Sequence, residues 1–287
     1  MSYNSLEEIV RECQEKDLPF DEVILLDDMN ERNVSREESI ETMRGMWEAM
    51  KGAERNYDGS LQSRSGLVGG AGKTMRAYVE SGNTLCGPFV GKVMASALAM
   101  GESNACMKRI VAAPTAGSCG VVPAILITYE RMTNTSENDM VKALFVAAGI
   151  GDVIARRASI SGARGGCQAE IGASSAMAAG ALAWLKSGSS HLITQAAAMA
   201  LKSLLGLVCD PVAGLVEVPC VKRNASGAMN ALCAVDMALA GIESAIPADE
   251  VIDAMREIGD LMHKDLRETG KGGLAATATG MAIAERL

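Results

Sequence analysis

The sequence is poor in aromatic residues and in histidine. Aromatic residues make up 3% of its 287 positions, and His191 and His263 are its two histidines. A core with so few rings must be built from Ala, Leu, Val, Ile and Met. The 30 Gly and 18 Met residues indicate that small and adaptable side chains let helices approach closely. Two histidines without a Cys-x-x-Cys pair leave little material for a zinc site.

The sequence also lacks a basic surface, a secretory signal and an uninterrupted apolar span. Its 27 Lys and Arg against 35 Asp and Glu give a net charge of −8, which provides no electrostatic footprint for nucleic acid. The longest charge-free run, 110–129, contains Pro114, Gly117, Gly120 and Pro123, so we predict a buried loop between helices there and no membrane partner. The N-terminus MSYNSLEEIVREC is acidic, which predicts a cytoplasmic protein.

Period-two alternation typical of strands is scarce, whereas helical spacing recurs along the chain. We therefore predict a mainly α protein: one all-helical catalytic domain over 1–287, with 1–55 as a charged helical N-terminal segment of that domain. Ser35 and Glu38 have the spacing of a capping box. The rest of the chain predicts buried Gly- and Ala-rich helices joined by polar loops, with an amphipathic helix at 247–262.

Eight cysteines in a chain without a secretory signal indicate free, buried or metal-bound thiols, because structural disulfides are rare in a reducing compartment. Cys13, Cys106 and Cys233 lie in apolar helical patterns, where a cysteine acts as a small hydrophobic residue. The other five adjoin Gly or Pro and are predicted to lie in turns, where a sulfur can face a ligand: Cys86, Cys119, Cys167, Cys209 and Cys220.

Three of these turn cysteines form a sharper pattern. Cys209 and Cys220 flank DPVAGLVEVP, which cannot continue a helix and can fold back to bring the two sulfurs together. Cys167 follows Gly165 and Gly166, where the backbone can approach a bulky inorganic group. Iron–sulfur clusters are held by thiolates in such loops. From the residues alone, three buried loop thiols without a metal remain the alternative.

Five motifs, in order along nearly the whole chain, resemble those of the α chain of the bacterial iron–sulfur L-serine dehydratases. The resemblance implies an all-helical catalytic domain and a [4Fe-4S] cluster bound by Cys167, Cys209 and Cys220. It also implies deamination of L-serine to pyruvate and ammonia. Cys86 and Cys119 are expected near the pocket but not as ligands. The motifs are SRSGLVGG (63–70), APTAGSCGVVPA (113–124), SISGARGGCQAEIGASSAMAAG (159–180), LGLVCDPVAGLVEVPCVKRNA (205–225) and LRETGKGGLAATATG (266–280).

With three thiolates for four irons, one iron can act as a Lewis acid on the leaving hydroxyl of serine. Lys271 is the candidate base, which requires burial to lower its pKa, and Lys222 is a candidate to offset the cluster charge or hold the substrate carboxylate. Hydroxyl and main-chain donors for the substrate are expected from two loops and two further residues, although each Ser or Thr could equally be a helix cap. These are Ser63, Ser65 and Gly66; Thr115, Ala116, Gly117 and Ser118; and Ser161 and Asn224.

Other functions compete with this interpretation. Pyridoxal phosphate needs a Schiff-base lysine and a phosphate loop, which SGLVGGAGK with Lys73 resembles, but it leaves the cysteine motifs unexplained, so we predict no pyridoxal phosphate. The same chemistry on L-cysteine or L-threonine is an alternative, since one methyl group provides little discrimination. A non-catalytic iron–sulfur redox sensor, with a fourth protein ligand, is another. The last alternative is a structural helical module without a metal.

The resemblance also implies a partner. Other members carry a β domain of α/β type fused to the catalytic region or encoded beside it, and we expect a separate β chain here. A homo-oligomer is also compatible with small-residue helix packing. Apolar residues of the N-terminal segment, Ile9, Val10, Ile24 and Leu25, either form a docking element for the partner or cover the chain's own core; the sequence favours neither.

Overall fold

The computed structural model describes residues 2–287 and contains thirteen α-helices and no β-strand in that range. The mainly α prediction is confirmed. The helices are α1 (Leu6–Lys16), α2 (Phe20–Arg32), α3 (Arg36–Arg55), α4 (Ala71–Glu80), α5 (Gly87–Ala105), α6 (Val121–Thr133), α7 (Glu137–Arg157), α8 (Gly162–Gly165), α9 (Ala173–Ser187), α10 (Ser190–Lys202), α11 (Cys220–Leu239), α12 (Ala248–Leu261) and α13 (Ala278–Ala284). A π-helical turn spans Gln168–Gly172, and 3₁₀ turns span Val212–Gly214, Lys264–Leu266 and Gly273–Ala276.

Several helices begin where side chains satisfy their free N–H groups. The Ser35 hydroxyl accepts from the N–H of Glu38 at 3.2 Å, and the Glu38 carboxylate accepts from the N–H of Ser35 at 2.9 Å, which confirms the predicted capping box. The hydroxyls of Ser5 and Ser136 accept from the N–H groups of Glu8 and Asp139 at the starts of α1 and α7. The amphipathic helix predicted at 247–262 is α12.

The centre of the fold is α9, which packs against α6, α7, α10 and α11. Every residue from Ala173 to Ala183 is buried, and small side chains allow the neighbouring helices to approach. At Gly180 a Cβ atom would lie 2.1 Å from Cδ1 of Ile150, so α7 and α9 meet only because this position has no side chain. Close packing of small side chains thus fills a core that contains few aromatic residues.

The N-terminal helices cover the chain's own core. Ile9 and Ile24 are fully buried and Leu25 is 5% exposed, while Val10 is half-buried. The start of α1 is tied to α12, because two of its main-chain N–H groups donate to the Asp249 carboxylate at 2.8 and 3.0 Å. The docking alternative for these residues is therefore wrong, since their apolar side chains are already used within the chain.

The prediction of a loop over 110–129 is wrong for the second half of this range, because α6 begins at Val121. Pro123 is compatible with a helix at this position, because the N–H groups of the first turn have no partner within the helix and their loss costs little. Residues 110–120 form the loop that leads into α6. Among residues 2–287, no helix is long and apolar enough to cross a membrane.

Candidate metal centre and active site

Three chain segments carry the cysteines of the sharper pattern, and two of them bring the sulfurs of Cys167 and Cys209 together, while Cys220 is not part of that group. Cys167 lies between α8 and the π-helical turn, Cys209 lies in the loop after α10, and Cys220 begins α11. Gly166, directly before Cys167, has a φ of 73°, a left-handed conformation that glycine adopts without strain. A Cβ there would also lie 2.9 Å from the main-chain oxygen of Leu207. The segment that carries Cys167 thus packs too tightly for any other residue at this position.

The thiols form a buried group with one carboxylate. The Sγ atoms of Cys167 and Cys209 and a carboxylate oxygen of Glu170 lie within 4.8 Å of one another. The three cysteines are buried, at 2% exposure for Cys167 and Cys209 and 8% for Cys220. Burial, followed by the charge of Cys167, raises the pKa of Cys220 to about 12. The arrangement is a buried set of soft sulfur donors with one hard oxygen donor beside it.

Cys167 has the most polar surroundings of the three. A hydrogen bond from the Cys209 thiol, assisted by the Arg223 guanidinium, lowers the pKa of Cys167, and the same bond raises the pKa of Cys209. Arg223 donates to Sγ of Cys167 at 3.3 Å, to the carbonyl of Val208 at 2.8 Å and to Asp210 at 2.9 Å. Its positive charge can therefore offset the charge of a thiolate group.

Glu170 is the residue of the centre that the sequence analysis did not select. It follows Cys167 by three positions, a spacing that places two side chains on the same side of a helical turn, and this was the available signal. Burial raises the pKa of its carboxyl group, the Thr115 hydroxyl opposes that shift, and the charge of Glu268 adds to it. The carboxyl group is held partly out of water, beside the two sulfurs.

The serine loop at 63–66 lies against the connection between Cys209 and Cys220. The Ser63 hydroxyl donates to the Glu217 carboxylate at 2.7 Å, and the Ser65 hydroxyl donates to the same oxygen. Glu217 is 7% exposed, so two hydroxyls satisfy a carboxylate that has little access to water. Sequence reasoning did not select Glu217, because 154 residues separate it from Ser63.

The second predicted substrate loop is built around a pair of hydroxyls. Thr115 and Ser118 share a hydrogen bond of 3.1 Å, and the hydroxyl of Ser118 also receives the N–H of Thr115 at 3.3 Å. Ser118 is fully buried, Ala116 is exposed and Gly117 is half-buried. The loop therefore exposes its middle and uses the Ser118 hydroxyl internally.

Asn224 joins this loop to the start of α11. Its amide oxygen accepts from the N–H of Gly120 at 2.8 Å, and its amide nitrogen donates to the carbonyls of Gly117 at 2.8 Å and Cys220 at 3.0 Å. Both donor hydrogens are thereby used. Asn224 holds the second substrate loop against the cysteine that begins α11.

Residues 10–275 match the family described as serine dehydratase alpha chain. The chain belongs to this family. It is 45% identical over 285 residues to the probable L-serine dehydratase, alpha chain, of Bacillus subtilis (strain 168), covering 99% of this chain and 95% of that protein. It is 41% identical over 281 residues to the L-serine dehydratase, alpha chain, of Peptoniphilus asaccharolyticus, covering 98% and 96%. Against L-serine dehydratase 2 of Escherichia coli (strain K12), identity is 38% over 280 residues, covering 95% of this chain and 61% of that protein.

In this member of the serine dehydratase alpha chain family, the two candidate lysines have exposed side chains. Lys222 lines a cavity of about 180 Å³ together with Glu102 and Glu217. Lys271 lies on the C-terminal segment, which reaches the centre through main-chain hydrogen bonds between Cys209 and the 266–268 stretch, each 2.8 Å long. Within the chain as described, residues 2–287, Lys271 lacks the burial that the sequence analysis required of a base.

Ser161 is exposed, and its hydroxyl makes no hydrogen bond to the main chain at the start of α8. Ser161 thus stands at the N-cap position of α8, as the helix-cap alternative expects, although its side chain makes no capping hydrogen bond. Its hydroxyl has no hydrogen-bond partner among residues 2–287, so it is free to accept or donate a bond to a ligand.

The other five cysteines lie apart from the group formed by Cys167, Cys209 and Glu170. Cys13 is buried in α1 as expected, and Cys106 at the end of α5 is half-buried. Cys233 is exposed on α11, so its expected role as a core residue is wrong: its side of the helix faces solvent. Cys86 is exposed at the start of α5, while Cys119 is fully buried beside the second substrate loop.

Proposed function

We propose that this chain is the α chain of an L-serine dehydratase, with the whole chain as one catalytic domain. It would deaminate L-serine to pyruvate and ammonia by β-elimination of water, as a step of amino-acid degradation in the cytoplasm. The observation that carries this proposal is the convergence of the buried Cys167 and Cys209 with the half-buried Glu170, in a chain whose relatives are named L-serine dehydratases.

The donor set supports a [4Fe-4S] cluster held by Cys167, Cys209 and Cys220. Three thiols on separate segments, buried and without a histidine nearby, suit iron and sulfide better than a structural zinc ion. Arg223, at 3.3 Å from Sγ of Cys167, supplies a positive charge for the thiolates. When bound, such a cluster offers one iron without a protein thiolate, which can serve as the Lewis acid for the departing hydroxyl.

The two substrate loops would bind the charged groups of serine. The hydroxyls of Ser63 and Ser65 donate their single hydrogens to Glu217, so they would accept hydrogen bonds from the substrate ammonium group, and main-chain N–H groups of the 115–118 loop would donate to its carboxylate. Glu217 orients the two serine hydroxyls through the hydrogen bonds described above, and Asn224 fixes the distance of the second loop from α11. Ser161, with its free hydroxyl at the rim, would add a further contact.

A base must remove the α-proton of the substrate. A carboxylate oxygen of Glu170 lies within 4.8 Å of the Cys167 and Cys209 sulfurs, and a carboxylate there would reach a substrate bound at the centre. Lys271 takes this role only if a partner covers it, because a lysine acts as a base near neutral pH when burial lowers its pKa. Lys222, at the cavity that also contains Glu217, would pair with the substrate carboxylate.

A separate β chain of α/β fold is part of the proposal. The two relatives that match this chain almost end to end are named alpha chains. The segment that carries Lys271 also exposes Leu274 and Met281, at 43% and 51%, so a partner covering it would bury apolar surface and the candidate base together. Assembly into a homo-oligomer would be a further step.

The test compares substrates with and without the partner. Anaerobically prepared, iron-loaded chain is assayed alone and with the β chain on L-serine, L-threonine and L-cysteine, with and without added pyridoxal phosphate. We expect weak turnover by the chain alone, strong turnover of serine after addition of the β chain, and no effect of pyridoxal phosphate. An iron-loaded complex that turns over none of the three amino acids would contradict the proposal and favour the sensor.

A further inference from the structure

A second cavity, of about 400 Å³, lies away from the cysteines among the end of α3 and helices α4, α5 and α6. Its size is within the range of sites that hold small organic ligands. Val79, Ala95 and Met132 form apolar parts of its wall, and the remaining side chains that line it are polar or charged. The residues assigned above to substrate and cluster do not line it.

The cavity carries an excess of positive charge in an acidic chain. Arg55, Arg76, Lys92 and Arg131 line it, against Glu54 and Glu80. Glu54 is already paired twice, with Arg76 at 2.8 Å and Arg131 at 2.7 Å.

Arg55 and Lys92 form no ion pair within residues 2–287, so their charges are available to a ligand. A surplus of cations around a cavity in a protein of net charge −8 attracts anions selectively to that place.

Ser96, on α5, provides an independent indication of a ligand. Its side chain is 5% exposed and lines the cavity. Among residues 2–287, its hydroxyl oxygen is the single buried polar side-chain atom that lacks a hydrogen-bond partner. Buried polar atoms are almost always satisfied, and leaving one unpaired is unfavourable. A ligand oxygen in the cavity would supply the missing acceptor.

We propose that this cavity binds a small organic anion with a carboxylate or phosphate group. Arg55 and Lys92 supply uncompensated charge, Arg76 and Arg131 offer the planar donor pattern that fits such groups, and Ser96 donates a hydrogen bond to the anion. The apolar wall accommodates the carbon skeleton of the ligand.

The test measures anion binding to the full chain by calorimetry under anaerobic conditions. Inorganic phosphate and citrate are titrated separately at constant ionic strength set with chloride, which distinguishes a phosphate site from a carboxylate site. We expect saturable binding of at least one probe. The substitution Ser96→Ala should weaken it about tenfold, because a hydrogen bond to a charged group is lost, and Lys92→Ala and Arg55→Ala should weaken it as well.

Lys186→Ala is the matched control, because Lys186 is an exposed lysine without an ion pair on α9 and lies outside this cavity; it should bind the probe as the unmodified chain does. Thermal unfolding gives a second readout: Ser96→Ala should retain the unliganded melting temperature but lose most of the stabilisation by the probe. The proposal would be overturned if neither probe bound saturably at concentrations up to about 10 mM. Equal affinities in Ser96→Ala, Lys92→Ala and the control would overturn it as well.

Discussion

Two buried cysteine environments in this chain differ in chemistry although they are equally removed from water. Cys119 is fully buried and Cys167 is 2% exposed. Burial raises the pKa of Cys119 to about 12, and its thiol donates a long hydrogen bond of 3.6 Å to the Met100 carbonyl. The pKa of Cys167 is instead lowered, because the Cys209 thiol and Arg223 stabilise its thiolate.

The difference shows that charged and hydrogen-bonding neighbours can outweigh burial in setting the pKa of a thiol. A thiolate is the form that binds a metal, and the hydrogen bonds from Cys209 and Arg223 favour that form at Cys167. Cys119 has an apolar setting that favours the neutral thiol. Among the three cysteines of the sharper pattern only Cys167 has a lowered pKa, whereas the pKa values of Cys209 and Cys220 are raised as that of Cys119 is.

The largest expected effect separates the two environments directly. Replacement of Cys209 by Ala should abolish iron retention and serine turnover, and replacement of Cys167 or Cys220 should do the same, since a cluster held by three thiolates loses one of them. The matched change Cys119→Ala removes an equally buried thiol. It should leave the iron content intact and cost only packing.

Iron and acid-labile sulfide per chain, measured after anaerobic reconstitution, decide this comparison. Full iron content in Cys209→Ala would place the cluster elsewhere, and loss of iron in Cys119→Ala would show that the two environments are not distinct.

Glu170→Gln sharpens the comparison by keeping the sulfurs and removing the carboxylate beside them. If Glu170 moves the α-proton, the variant should retain its iron while turnover of serine falls by about 10²–10⁴-fold, the usual contribution of a general base. Glu268→Gln removes an exposed neighbouring carboxylate and should change turnover by much less. Unchanged turnover in Glu170→Gln would transfer the role of base to Lys271 or to the partner chain.

A smaller effect is expected on stability from the ion pair that supports the centre. Arg223 and Asp210 have side chains 16% and 5% exposed and meet at 2.9 Å. Asp210→Ala leaves a largely buried guanidinium without its carboxylate, which should cost about 3 kcal/mol of unfolding free energy. Glu15→Ala breaks an exposed pair with Arg11 and should cost below about 1 kcal/mol. Chemical denaturation of both variants measures the difference, and equal losses would contradict it.

The smallest expected effect concerns the serine loop at 63–66. Ser65→Ala removes one hydroxyl that the Glu217 carboxylate orients, and should raise KM for serine about tenfold while kcat changes little, since a hydrogen bond to a charged substrate is lost. Ser60→Ala, in the preceding turn, removes a hydroxyl bonded only to Asp58. Steady-state kinetics on serine should show an unchanged KM for that control. A shift in kcat alone in Ser65→Ala would place the loop away from the bound substrate.

Local signals accounted for much of the fold. The capping box at Ser35 and the amphipathic pattern of α12 act within a few residues, so sequence spacing was sufficient to predict them. The loop predicted over 110–129 failed at Val121, because a proline was taken as an interruption although the first turn of a helix accepts one.

The site was predicted where residue type restricts the chemistry and missed where distant segments meet. Gly166 and the two prolines around Cys209 and Cys220 marked turns, and the resemblance selected the cysteines. Glu217 reaches Ser63 across 154 residues, a contact that local patterns do not encode. The exposure of Lys271 could not be predicted from the sequence either, because burial depends on which segments pack against a residue.

The central claim is that Cys167, Cys209 and Cys220 hold an iron–sulfur cluster that the reaction requires. The most direct test is the iron and acid-labile sulfide content of the chain, purified without air together with its β chain, measured in parallel with serine turnover before and after exposure to air. We expect about four of each per α chain, loss of both content and turnover in air, and recovery of both with iron and a thiol reductant. Full serine turnover by an iron-free complex would contradict the account.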